Sequence, residues 1–565
     1  MSPGKFRFLV PSRNLSFLST PSEFLRTLLS MCSEAETRLI FAALYIGTGT
    51  NEQKIVQTLE RRLGQLQNRA TDGPSMRTTF LLDYLRATRR EPTKEGDPAS
   101  AKDLLLPLKQ KYPQMADVRF FHTPLLSGLL KRVLPQRANE ALGVQHMKCF
   151  VSNDNVLVTG ANASGTYLTT RQDRCLLIRD RALADHCSAV VSAVADCSYS
   201  LQPDGTLQIK KGMPEPWADP QGFRARLSAS LAPLSSPITL DEAARLFAPE
   251  EKGETQQTAE IRVFLQAGFA QPALRDEERS LQSLLKAAGQ RGFDCTLASG
   301  YLNPPPSLVK GLSDFLKARE GGRAVVSAPA DSSDAVCTEG VGPGKRKEQS
   351  EASPLTLVSA APQANSFHNS KGITKWVTAA YASLALHLLK RLPPGVSYFE
   401  YFREGWSFHA KGVWFSGPVS LDRESSVSVS STTVEERDEK RGDERWMPRV
   451  TVIGSSNFSC RSHSRDLEMT LVVKSNDPQL CEHMQKEKAV VAPVAWGLSA
   501  LNFESGTCSS GAESEEVKEL PFSREGSSEL TKRQPFFQAV QRSALSERVP
   551  FWLSQVVRLF GQTFL

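Results

Sequence analysis

The sequence contains no run of 18 or more apolar residues, so no helix is expected to span a bilayer and any membrane contact is expected to be peripheral. Its ten cysteines include no Cys-x-x-Cys pair, which argues against a disulfide framework or a zinc site and points to a reducing compartment. Aromatic residues make up 8% of the chain, and no extended basic, aromatic-interleaved stretch is present, so no nucleic-acid partner is expected. Acidic residues are missing from the first 22 positions, where Lys5, Arg7 and Arg13 stand among serines. That is the composition of a short organelle-targeting segment. What is there is an ordinary globular balance over 565 residues, 40% hydrophobic and 23% charged, enough for two large lobes or three domains. The net charge of +7 favours anionic substrates or an anionic membrane surface.

Apolar, β-rich runs alternate with segments of helical spacing, the pattern of an α/β fold. In the first half strands are expected at Leu39 to Ile46, Thr79 to Leu85, Val118 to Thr123, Cys149 to Thr159 and Cys175 to Ile178, with helices at Pro21 to Cys32 and Asn51 to Leu63. The second half repeats the order. Strands are expected at Thr296 to Leu302, Ala324 to Ala328, Val396 to Phe402, Lys411 to Phe415, Val450 to Ile453 and Leu467 to Val473, and an amphipathic helix at Ile373 to Leu392 is closed by Pro393-Pro394. Three stretches rich in Ser, Glu, Lys or Gly read as disordered insertions: Asp331 to Gln363, Pro418 to Pro448 and Phe503 to Arg533. The division expected is a first lobe over 1–220, a second over 221–480 and a C-terminal extension over 481–565.

One constellation occurs twice. The first copy is His146-Met147-Lys148, then Gly160-Ala161-Asn162, then Asp173; the second is His409-Ala410-Lys411, then Gly454-Ser455-Ser456-Asn457, then Glu468. The acid follows its Asn by eleven residues in both copies. In extended backbone i and i+2 share a face, so each His-x-Lys presents an imidazole beside an ammonium. The imidazole can attack phosphorus, and the ammonium can neutralise the phosphoryl oxygens. The Gly/Asn turn adds backbone N–H groups and an amide, and the downstream carboxylate can hold an imidazole in one tautomer. Two facing copies supply one histidine as nucleophile and one as acid and base. The other six histidines, His122, His186, His368, His387, His463 and His483, read as structural, and of these His122 is the one weighed for a substrate role.

These paired motifs resemble the phospholipase D superfamily, and the text around them resembles the eukaryotic CDP-diacylglycerol–glycerol-3-phosphate 3-phosphatidyltransferases. The matching stretches include FHTPLLSGLLKRVLPQRANEALGVQHMK (121–148), GANASGTYLTTRQDR (160–174), LASGYLNP (297–304), ANSFHNSKGI (364–373), GWSFHAKGVW (405–414) and IGSSNFSCRSHSRDLE (453–468). Two positions depart from the superfamily pattern: its aspartate falls at Asn153, with Asp154 beside it, and at Ser416 in the second copy.

The resemblance implies two similar phospholipase D-type lobes, each a mixed β-sheet flanked by helices, with the active site between them. It implies CDP-diacylglycerol as donor and glycerol 3-phosphate as acceptor. The sequence does not say which histidine is the nucleophile; with the first copy in that role, His146 would attack the phosphatidyl phosphorus, and His409 would protonate CMP and then deprotonate the acceptor. Lys148, Lys411, Asn162 and Asn457 would hold the phosphoryl oxygens, and Asp173 and Glu468 would orient the histidines. The turn residues Gly160, Gly454, Ser455 and Ser456 would line the substrate, and Arg137, Lys371, Arg461 and Arg465 are the cations available for the acceptor phosphate. No metal or other cofactor is called for, because the lysines stand where other phosphoryl-transfer sites use magnesium. The implied location is mitochondrial, peripheral on the inner membrane, and a basic amphipathic helix within Lys532 to Leu565 is expected either to lie on an anionic surface or to pack on the second lobe.

Overall fold

Two mixed β-sheets flanked by helices carry the chain, and seven strands recur in both in the same order and direction. In the first sheet Ala116–Phe121, Arg77–Asp83 and Arg38–Ala42 run parallel; Cys149–Ser152, Asn155–Thr159, Cys175–Arg179 and Leu15–Leu18 continue antiparallel. In the second, Val396–Phe402, Leu355–Ala360 and Asp294–Ser299 run parallel; Lys411–Ser420, Glu444–Gly454, Glu468–Ser475 and Thr258–Ala267 continue antiparallel. Parallel neighbours need crossovers. Helices Thr50–Arg69 and Ala101–Lys111 supply them in the first half, and Pro306–Val326 and Val377–Arg391 in the second. The computed structural model describes residues 6–69, 76–92, 97–128, 142–249, 257–326, 353–368, 376–420, 444–492 and 536–540, with a few isolated positions besides.

Local sequence explains the elements that frame the site. Helix Pro21–Glu34 starts with Pro21 in its first turn and a capping box between Thr20 and Glu23. Its buried Phe24, Leu28 and Met31 recur at i, i+4 and i+7, and Phe24 meets Phe150 of the strand that follows the first His-x-Lys. The lobes are not separate globules. One apolar cluster runs from Val151, Val158 and Ile178 of the first sheet to Ile261, Met469 and Leu471 of the second. The N-terminal strand Arg7–Pro11 also crosses over, pairing with Thr258–Ala267 at the edge of the second sheet.

Several expectations are corrected. Leu355–Ala360, placed within an insertion, is a central strand of the second sheet; its alternating apolar residues are covered on both faces, and the polar residues before it hid it. The strands Lys411–Ser420 and Glu444–Gly454 likewise extend into the second expected insertion. The strand expected from Ala324 is the end of helix Pro306–Val326, a case of β-branched residues serving in a helix. Cys149 to Thr159 is a hairpin, Cys149–Ser152 with Asn155–Thr159, whose turn carries Asn153 at φ 53°. Phe536–Ala539, inside the expected C-terminal helix, is an edge strand beside Val396–Phe402. Farther on, Leu553 and Val557 pack with Ala380 and Leu384 of the second lobe, so these two apolar side chains cover protein. The rest of that helix, the 503–533 stretch and most of the other two insertions lie outside the described residues, as do Arg137 and Lys371.

Candidate active site

The two motifs meet across the lobes through a repeated backbone contact. The His146 N–H donates to the Leu467 carbonyl at 2.9 Å, and the His409 N–H donates to the Gln172 carbonyl at 2.9 Å. Each acceptor immediately precedes the acid of the other copy. Parallel bridges at Gln145–Leu467 and between Ser407–Phe408 and Arg171–Gln172 hold these arms in register. The carboxylates are therefore exchanged. His146 Nδ1 lies 3.0 Å from both oxygens of Glu468, and His409 Nδ1 lies 2.6 Å from Asp173 Oδ2. Sequence spacing pairs each acid with its own copy; only the fold reveals the exchange.

The alternation expected of His-x-Lys holds although both motifs sit at the entrance to a strand. Met147 and Ala410 turn into the apolar interior while the flanking His and Lys share the other face. Lys148 Nζ donates to the His146 carbonyl at 2.7 Å, and Lys411 Nζ lies 2.6 Å from His409 Nδ1 and 3.6 Å from Asp173 Oδ2. Gly160 is required by this crowding. A Cβ there would stand 2.5 Å from Asp173 Oδ1 and 2.8 Å from Lys411 Nζ. The amide oxygens of Asn162 and Asn457 are buried without a hydrogen-bond partner among the described residues. Buried polar atoms are normally paired, so each of these oxygens is an acceptor open to a hydrogen-bond donor.

Burial dominates the electrostatics. It pushes both imidazoles well below the ordinary histidine range, with Lys148 and Lys411 adding to the effect on His146 and His409 respectively. Lys411 from the second lobe also depresses His146, which marks one shared site. Burial lowers Lys148 to about 7 and raises Glu468 to about 7. Burial acts on Asp173 too, but Lys411 and His409 outweigh it and hold that carboxyl below its ordinary value. The two acids thus differ: Asp173 is ionised at neutral pH, whereas Glu468 is near its midpoint.

The remaining expected residues fall as follows. Ser455 Oγ donates to Glu468 Oε2 at 2.5 Å, so it holds the acid. Ser456 Oγ accepts the Phe458 N–H, and Gly454 lies against the backbone of Met469 and Thr470. Arg461 pairs with Asp466 at 3.1 Å, and Asp466 accepts the Val144 N–H two residues before His146. Arg465 follows the short helix Cys460–Ser464, with its carbonyl over Gly143. His122 is buried with Nδ1 2.9 Å from the Thr123 carbonyl and its ring edge-on to Tyr84. The Gly47-Thr48-Gly49 loop wraps the Glu52 carboxylate, which also accepts the Gly165 N–H beyond Asn162.

Sequence reasoning missed Tyr167 and Tyr301. The Tyr167 hydroxyl lies 3.3 Å from His409 Nε2, and the Tyr301 ring centroid is 5.9 Å from that of His409. Both lie inside the quoted matching stretches, but neither has a spacing that would mark it. Asn153, at the departure from the superfamily pattern, has a structural task. Its Oδ1 accepts the N–H groups of Glu36 and Thr37 at 2.9 and 3.1 Å, and its Nδ2 donates to the Glu34 carbonyl at 2.9 Å.

No protein-family model matches the chain. It is 29% identical over 527 residues, 88% of its length and 81% of the relative's, to the mitochondrial CDP-diacylglycerol–glycerol-3-phosphate 3-phosphatidyltransferase of Gallus gallus. It is 27% identical over 514 residues, 84% of its length and 88% of the relative's, to the enzyme of that name from Schizosaccharomyces pombe. The crystal structure of phosphatidylserine synthase from Haemophilus influenzae Rd KW20 superposes with a TM-score of 0.58 at 14% identity, covering 100% of this chain and 98% of that one, a likeness of fold alone. The chain is thus a homologue of the CDP-diacylglycerol–glycerol-3-phosphate 3-phosphatidyltransferases, built on the two-lobed α/β fold that its repeated motifs predict.

Proposed function

We propose that this protein transfers the phosphatidyl group of CDP-diacylglycerol to glycerol 3-phosphate through a phosphatidyl-histidine, giving phosphatidylglycerophosphate and CMP. The observation that carries the reading is the exchanged pair of His–carboxylate contacts with two buried lysines beside them, in a homologue of the transferases so named.

In the first step Nε2 of His146 attacks the phosphatidyl phosphorus. A P–N bond forms and the bond to the CMP oxygen breaks. Nδ1 of His146 faces Glu468, which leaves Nε2 for the attack, and the depressed basicity of the ring keeps it neutral and nucleophilic at pH 7. Lys148, Lys411, Asn162 and Asn457 meet the charge that develops on the phosphoryl oxygens. In the second step His409 Nε2 takes the proton of the acceptor hydroxyl as that oxygen bonds to phosphorus and the P–N bond breaks. Asp173 stabilises the resulting imidazolium. An incoming phosphate adds negative charge between the lysines, which raises the basicity of His409 when a base is needed.

The acceptor carries a phosphate of its own, and Arg461 and Arg465 are its proposed contacts within the described residues. The donor is a lipid. Among the described residues no helix is long and apolar enough to cross a membrane, and we place the protein peripherally on an anionic surface, the mitochondrial inner membrane. Support comes from the mitochondrial designation of the Gallus gallus relative and the net charge of +7.

The test is incubation of purified protein in detergent micelles with CDP-diacylglycerol and labelled glycerol 3-phosphate, serine, glycerol or water in parallel. Label enters lipid with glycerol 3-phosphate alone, and His146→Ala and His409→Ala abolish it. CMP release with no label in lipid would make the protein a hydrolase.

A further inference from the structure

Arg174, the residue after Asp173, is a first-lobe side chain buried inside the second lobe. Its Nε and Nη2 donate to the two oxygens of Glu487 at 2.5 and 3.1 Å, on helix Pro478–Val491. Nη2 also donates to Thr451 Oγ1 at 2.9 Å, and Nη1 to the Val452 carbonyl at 2.8 Å. The guanidinium stacks on Trp414, 3.9 Å from the ring centroid, and the Trp414 indole N–H donates to Glu487 at 2.9 Å. Gly412, next to Lys411, admits the group: a Cβ there would collide with Arg174 Nη1. At its other end the Arg174 N–H donates to Asp173 Oδ1 at 2.9 Å, while Asp173 Oδ2 faces His409. The second copy is built differently. Glu468 is followed by the apolar Met469 and is held by the Ser455 hydroxyl.

A planar guanidinium engaged along several of its N–H directions has one allowed position, and a desolvated pair of this kind fixes geometry more than it adds stability. We propose that Arg174 and Glu487 are positioning residues that fix Asp173 against His409, and so govern removal of the proton from the acceptor hydroxyl. This rests on the phosphatidyl-transfer reading above. The two half-reactions differ in their need for His409. CMP leaves as a phosphate monoester, whose second dissociation is near pH 6 (approximately), so at neutral pH its departure asks for little protonation. The alcohol must surrender its proton as the O–P bond forms and the P–N bond to His146 breaks. Misalignment of His409 therefore slows the second half-reaction selectively.

The experiment is rapid-quench measurement of CMP release by the full chain in micelles, comparing wild type with Glu487→Gln, Arg174→Lys and Thr451→Val, with thermal melts of each. The expected result is a CMP burst of one equivalent at the wild-type rate and unchanged donor half-saturation. Steady-state turnover falls roughly 10- to 100-fold for the two charge variants, the scale of an angstrom misplacement, and several-fold for Thr451→Val. Phosphatidyl-enzyme then accumulates. Burst and turnover falling together in a variant that melts like wild type, or turnover unchanged, would overturn the proposal. If the charge variants do not fold, Thr451→Val, which deletes one guanidinium acceptor, decides alone. Wild type that releases no CMP would remove the transfer reading itself, an outcome visible before any variant is compared.

Discussion

Asp173→Asn keeps the size of the side chain and removes its charge, and the structure sets the magnitude of the effect. Asp173 Oδ2 lies 2.6 Å from His409 Nδ1, and both side chains are buried. When His409 takes the acceptor proton, an imidazolium and a carboxylate stand with charge centres about 4 Å apart, which at an effective dielectric of about 20 is worth roughly 4 kcal/mol. At about 1.4 kcal/mol per factor of ten, turnover should fall by roughly three orders of magnitude. The amide can also hold the ring in the wrong tautomer, which pushes in the same direction. Lys411 loses a counter-ion 3.6 Å away, so a thermal melt must accompany the kinetics. The assay is labelled glycerol 3-phosphate entering lipid at pH 7. A loss smaller than roughly tenfold in folded protein would refute the reasoning, since it would mean that His409 gains no charge beside Asp173 in the rate-limiting step.

Glu468→Gln should behave differently, because burial raises that carboxyl to about 7. Below pH 7 the native acid is protonated and resembles glutamine, so the activity ratio of wild type to variant should approach one there and grow above it. A carboxyl with a raised folded-state pKa binds its proton more tightly when folded, so its contribution to stability falls as pH rises from its ordinary range through about 7. Glu468→Gln should therefore melt higher than wild type at pH 8, by at most about 3 kcal/mol at roughly 1.4 kcal/mol per unit, and equally at pH 4. Lys148, lowered to about 7 by burial, must be charged to hold an anion, so CMP should bind more weakly by up to tenfold per unit above pH 7 (approximately). Calorimetry in buffers of different ionisation enthalpy should show proton uptake on binding. Asn153→Ala should destabilise the fold by about 1–3 kcal/mol, through lost hydrogen bonds and a residue at positive φ. The folded fraction should keep full turnover; a turnover defect without a stability defect would return Asn153 to the chemistry.

Much of the site was readable because its chemistry is local. His-x-Lys, the Gly/Asn turn and the acid each lie within one short segment, and the duplication repeats their spacing. The alternating strands were readable for the same reason, since period-two patterning is a short-range signal. What could not be read is what depends on contacts between lobes. Glu468 serves His146 and Asp173 serves His409 because arms more than two hundred residues apart pair in parallel, which no local pattern encodes. Leu355–Ala360 was lost among polar neighbours, and nothing local marks Arg174, because its partner Glu487 comes from a distant helix. Asn153 looked like an eroded catalytic position until the backbone placed it in a left-handed turn.

The central claim is that one of two facing histidines carries the phosphatidyl group. The most direct measurement is to mix the enzyme with CDP-diacylglycerol labelled in the phosphatidyl phosphate, without acceptor, quench in denaturant at alkaline pH and map the labelled peptide. The account predicts a label stable to alkali and labile to acid, on the peptide containing His146, chased into phosphatidylglycerophosphate when glycerol 3-phosphate is added before the quench. It also predicts no label in His146→Ala. Normal turnover with no labelled protein, or label that acceptor cannot chase, would contradict it.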